Sequence, residues 1–148
     1  MYEFLKGLHN LLRWVVLLGG VWALIAALRG LFSRAQWTAS ERRAGAIFAG
    51  SLHLQILLGV LLYLVSPIVR GGFSDFGGAM GDDVTRFFLV EHLAVMILAA
   101  VAAQVGLSTA RRATDDRRSF VRASIGFGLA MLLILYGIPW WRPLLPWA

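Results

Sequence analysis

The side chains best equipped for chemistry in this sequence are three histidines, His9, His53 and His92, with two charged neighbours, Arg13 and Glu91. Each sits in an apolar setting, in "LHNLLRW" (8–14), "LHLQILL" (52–58) and "VEHLAVM" (90–96). A neutral imidazole nitrogen is a good ligand for iron and other transition metals. A guanidinium or carboxylate in the same surroundings is costly unless something answers its charge. Cysteine is absent, which excludes disulfides, iron–sulfur clusters, thiolate zinc sites and covalent c-type haem attachment. The sequence contains no Walker loop, dinucleotide fingerprint, nucleophile elbow or HExxH helix.

The elements that must position these residues follow from composition. Of 148 residues, 59% are hydrophobic and 15% charged, too apolar for a single small domain to bury in one core. The fitting solvent is a bilayer. Four charge-free stretches, 14–28, 44–69, 92–110 and 123–141, run between charged residues. A spanning helix needs about 20 mostly apolar residues. The last three stretches meet that unaided, and the first meets it by extending back through Arg13. The reading is an all-α protein with one membrane domain over 1–148 and helices near 4–30, 42–66, 85–109 and 120–141. The first run, behind Lys6 and Arg13, faintly resembles a secretory leader but reads as a retained span. No internal repeat or low-complexity tract is present.

Charge placement predicts the topology. One pair of connections carries Arg29, Arg34, Arg42, Arg43, Arg111, Arg112, Arg117, Arg118 and Arg122. Such a bias marks the cytoplasmic side, which puts both termini and the middle connection outward in an up-down-up-down bundle. The net charge of +6 is explained by these flanking arginines, and no basic stripe suited to nucleic acid is present. Thr38 or Ser40 with Glu41 reads as the cap of the second helix. Pro67 and two glycines end that helix, and "GGFSDFGGAMGDD" reads as a flexible connector. Trp14, Tyr63, Tyr136, Trp140, Trp141 and Trp147 suit an outer aromatic belt. Pro139, Pro143 and Pro146 end the fourth helix in an extended tail.

Depth can be counted from the arginine belt. His9 lies 20 residues before Arg29 and His92 lies 19 before Arg111, whereas His53 lies 10 after Arg43. The first and third helices are diagonal neighbours in such a bundle. Their histidines, level in the outer half, can approach a planar cofactor from opposite faces, the arrangement for bis-imidazole ligation of one b-type haem. Gly7, Gly19, Gly20, Gly50, Gly59 and Ala99, Ala100, Ala102 and Ala103 could make room for it, although small residues equally serve close packing. Arg13, one turn after His9, needs an anion, either a haem propionate or Glu91; Arg86 could also reach a propionate. Glu91 has three readings: pairing with Arg13, orienting a histidine, or carrying protons. His53 is a core histidine, a quinone contact or an alternative ligand. Gln55 and Gln104 read as interhelical hydrogen-bond formers. A non-haem metal held by His9, Glu91 and His92, with or without His53, is a further arrangement, made awkward because adjacent residues diverge by about 100° on a helix.

Together "LHNLLRW", "HLQILLGVLLY" (53–63), "RFFLVEH" (86–92) and "GIPW" (137–140) resemble a family of small four-helix bacterial membrane proteins of cytochrome b-like type. Their plan is similar to the bacterial cytochrome b561 group. The resemblance implies an inner-membrane location, b haem between transmembrane histidines, and electron exchange with quinones or oxygen species such as superoxide. His9, His53 and His92 match the motif histidines, with Arg13 and Glu91 beside them. Three histidines allow at most one bis-histidine haem. The alternatives are a non-catalytic accessory subunit of a larger membrane complex, and a quinone- or metal-binding module without haem.

Overall fold

The structure, a computed structural model, describes residues 1–142. It is built from helices: α1 (Tyr2–Ser33), α2 (Ala39–Val65), α3 (Pro67–Ser74), α4 (Phe76–Gly81), α5 (Asp83–Arg86), a π-helical turn (Phe87–Glu91), α6 (His92–Arg111) and α7 (Asp116–Gly137). Four helical columns, Tyr2–Ser33, Ala39–Val65, Asp83–Arg111 and Asp116–Gly137, are long and apolar enough to cross a membrane. The shortest has 22 residues, about 33 Å at 1.5 Å per residue, against a hydrocarbon core of about 30 Å. Their outward faces carry large exposed apolar side chains, among them Leu18, Leu57, Leu98 and Leu132.

Local chemistry sets the ends. Arg34 adopts the left-handed conformation (φ 52°) and its N–H returns to the Gly30 carbonyl, so α1 runs a turn beyond the expected residue 30. Thr38 caps α2 in a full capping box: its hydroxyl accepts from the Ser40 N–H, and Glu41 accepts from the Thr38 N–H at 2.9 Å. Asp115 caps α7 by accepting from the Arg118 N–H at 2.9 Å.

The connector over 67–82 differs from the flexible segment expected. Pro67 does end α2, but it also opens α3, because a missing N–H costs nothing at the first helical position. Ser66 caps α3, and Asp75 and Asp82 cap α4 and α5 in turn. Val69, Ala79 and Leu89 close a small second core with Tyr63 and Met80 against it.

α1 packs on α2 and α7, and α6 packs on the same two helices, so α1 and α6 lie on a diagonal. The main core is layered from small residues, including Ala23, Ala27, Ala99, Ala103, Ala123 and Ala130, with Phe48, Leu52 and Phe127 filling between them. In lipid there is little hydrophobic drive between helices, so backbone approach and close packing must do the joining. The tightest approach is α6 on α7 at Gly106 and Gly126, where a Cβ on Gly126 would fall 2.3 Å from the Gly106 Cα. Ser119 ties the same pair by donating to the Ala110 carbonyl at 3.0 Å. Gly19, Gly20 and the alanines of α6 serve this packing, whereas Gly50 stands exposed on the outside.

Candidate functional site

Toward the end of the bundle that carries the N-terminus, the four long helices part around a cavity of 570 Å³. His9, Arg13 and Val16 line it from α1, Leu52, Gln55 and Gly59 from α2, His92 and Met96 from α6, and Ile134 from α7. It reaches from Tyr2 to Val16 along α1, about 20 Å by helical rise. Its deep part is walled by aliphatic side chains, and its shallow part carries Glu3, Lys6 and Arg142.

His9 and His92 meet in this cavity, with ring centres 6.3 Å apart and planes at 68°. Each ring nitrogen lies about 1 Å from its centre, so no nitrogen of one ring comes nearer than about 4 Å to one of the other, beyond a direct hydrogen bond of about 3 Å. The two rings are held differently. His92 Nδ1 lies 2.7 Å from the Gly137 carbonyl oxygen at the end of α7. A carbonyl only accepts, so Nδ1 carries the proton and Nε2 keeps its lone pair. Phe87 and Phe88 flank the same ring at 5.6 and 6.3 Å. His9 instead packs its Cε1–Nδ1 edge against Gly59 of α2, and its Nδ1 is buried without a hydrogen-bond partner among the described residues. Below it, Gln55 Nε2 donates to the His9 carbonyl at 3.0 Å, tying α2 to α1 at this level as an interhelical bond former. Gln104, by contrast, is exposed on the outer surface of α6.

The remaining sequence candidates separate from this pair. His53 is exposed on the outer face of α2 and does not line the cavity. Glu91 is taken by Arg86 rather than by Arg13, at 2.7 Å, across a spacing of five residues that the π-helical turn brings together. Arg86 also reaches Asp83 at 2.8 Å and the Met80 carbonyl at 3.1 Å, so its guanidinium belongs to the α4–α5 corner and not to the cavity. Arg13 does line the cavity, buried to 8% exposure, one turn deeper than His9. The cations nearer the mouth are ones the sequence did not single out: Lys6, paired with Glu3 at 2.5 Å, and Arg142, stacked over Phe88 at 4.4 Å. Arg142 follows "GIPWW", and the turn after α7 folds it back over the π turn. Tyr63, placed in the belt by sequence, turns inward to donate to the Leu89 carbonyl of the π turn at 2.8 Å. Trp14, Tyr136, Trp140 and Trp141 are at least a third exposed, while Trp147, Pro143 and Pro146 lie outside the described residues.

The site therefore offers two neighbouring imidazoles, one with a defined tautomer, in an apolar sleeve with cations toward its mouth. Among the described residues no group of three or more histidine, aspartate, glutamate or cysteine side chains is placed to hold a metal ion, which disfavours the non-haem arrangement on His9, Glu91 and His92, with or without His53. The donor set suits a metal that brings its own equatorial ligands and takes two imidazoles from the protein. Compared with models of protein families, with curated proteins and with solved structures, the chain matches none, so the geometry of this cavity is the ground for reading its function.

Proposed function

We propose that the chain is a multi-pass membrane protein of the cytochrome b-like type that holds one b-type haem between His9 and His92 and serves electron transfer. The observation that carries the reading is the 6.3 Å separation of the two imidazoles across a 570 Å³ cavity. When bound, haem would supply one-electron chemistry at its iron. The chain's own contribution is positional. His92 presents a bare nitrogen because its other nitrogen is bonded to Gly137. Leu52, Ile56, Met96 and Ile134 keep water from the macrocycle's place. Lys6 and Arg142 stand where carboxylates at the mouth would be met, a part Arg86 does not take.

In this reading the four spans alternate up and down in a bacterial inner membrane, with the arginine-rich connections in the cytoplasm and the cavity opening outward. A quinone or an oxygen species is the class of partner that the resemblance implies for such a site. The test is a set of three variants. His9→Ala and His92→Ala should each abolish a low-spin b-type spectrum in detergent-purified protein, and His53→Ala should leave it intact. Loss on His53→Ala with retention on either of the others would overturn the pairing.

A second reading draws on His53 and Gln104, both exposed on the outer surface of the spans. Polar side chains facing lipid gain from hydrogen bonds to neighbouring helices, which favours a chain that also packs within a larger membrane complex. Mild extraction followed by native mass measurement tests it: the chain alone in its detergent micelle would count against this reading.

A further inference from the structure

Gly137 ends α7, where the last carbonyls of a helix have no partner within it. Its oxygen is met by His92 Nδ1 of α6 at 2.7 Å. The approach depends on the missing side chain. A Cβ on Gly137 would lie 2.2 Å from Met96 Cε and 3.1 Å from Val95 Cγ1, two side chains one turn beyond His92 on the same helix. A larger residue must displace Met96, itself buried at 8% exposure, or lift the end of α7 away from α6. Only the second takes the carbonyl from the ring: the Met96 Cε end can turn aside for a small group, whereas a side chain large enough to meet Val95 as well must lift α7. Metal-bound histidines generally donate their second N–H to a carbonyl or carboxylate, which fixes the tautomer and raises the basicity of the bound nitrogen.

We infer that Gly137 is a positioning residue for His92: its carbonyl, admitted to α6 by the absence of a side chain, holds the imidazole in the Nδ1–H form and leaves Nε2 as the one nitrogen available to a ligand in the cavity. Locked in this way, His92 Nε2 accepts but cannot donate. It can ligate iron or take a hydroxyl proton donor, and it cannot donate a hydrogen bond to a quinone carbonyl. The use of that nitrogen for haem rests on the function proposed above; the tautomer does not.

The test separates the two. Nitrogen-15 histidine spectra of haem-free protein, with the His92 signal assigned by its loss in His92→Gln, should give the Nδ1–H pattern with a bare Nε2. Gly137→Leu should move that signal toward the mixed-tautomer pattern, and adding Met96→Ala, which reopens the space, should move it back. Should Gly137→Leu fail to insert, Gly137→Val with and without Met96→Ala provides the same comparison. In protein supplied with haem, Gly137→Leu should convert a six-coordinate low-spin spectrum into a five-coordinate high-spin one. An Nε2–H tautomer in the unsubstituted protein, or a His92 signal indifferent to folded Gly137 variants, overturns the inference. Unsubstituted protein that takes up no haem while showing the Nδ1–H pattern overturns the haem reading and leaves the role of Gly137 standing.

Discussion

Imidazoles inside a membrane gain from partners, and the three histidines here stand in different settings. His92 bonds to Gly137, His9 opposes His92 across the cavity, and His53 faces outward. The level of the first two was readable because depth can be counted from a belt of arginines at 1.5 Å per residue. The direction of His53 was not, because α2 is apolar on nearly every side and offers no polar stripe to mark an outer face. The partner of Glu91 was hidden for another reason. Helical neighbours are ordinarily three or four residues apart, and the π turn that unites residues 86 and 91 leaves no plain mark in composition. This assigns the arginines separate duties. Arg86→Gln should barely move the Tm, since both ends of its pair with Glu91 are over a third exposed, and should leave haem content unchanged. Lys6→Gln with Arg142→Gln should weaken retention of haem severalfold in a transfer assay to apomyoglobin. Equal retention in that double variant would remove the cations from the site.

Elements were more legible than residues. Three spans were visible as charge-free stretches and the first by extension back through Arg13, and the Thr38–Glu41 capping box was visible as a spacing. The connector was misread because its glycines suggest flexibility, whereas Ser66, Asp75 and Asp82 each cap a short helix and Val69, Ala79 and Leu89 hold the corner together. Asp82 also carries a pH signature. Hydrogen bonds from the Thr85 hydroxyl and N–H hold its carboxyl below the usual range. A depressed folded value stabilises above the ordinary carboxylate pKa, so this support should fade as pH falls below about 4. Protection of the α5 amides, taken as exchange relative to the intrinsic rate at each pH, should therefore fall at pH 3 relative to pH 6 while α6 and α7 stay protected; unchanged α5 protection across that interval would contradict it. The α6–α7 seam should tolerate nothing at its centre. Gly106→Leu places a side chain against the Gly126 backbone and should cost about 3 kcal/mol or more, seen as a large fall in Tm in detergent. A Tm unchanged within error would mean that the seam is looser than described.

At the scale of the molecule, the diagonal placement of α1 and α6 converts two histidines that are 83 positions apart into one site. Composition and span count pointed to a four-helix membrane protein with the first and third spans on a diagonal, and the packing supplied what they could not: how wide the space between them is and which cations reach its mouth. The bundle is open where the four helices part and closed below, where Phe48, Phe127 and the alanines meet. If the arginine-rich connections are cytoplasmic, a single cysteine at Ser40 in this cysteine-free chain should resist an impermeant thiol reagent in intact cells, and one at Gly81 should react. The reverse pattern would invert the protein. The most direct test of the central claim is a reduced-minus-oxidised absorption spectrum of purified protein, with haem counted per chain after production under ample haem supply. The account predicts a low-spin b-type spectrum and one haem per chain. A colourless protein that is folded and inserted would contradict it.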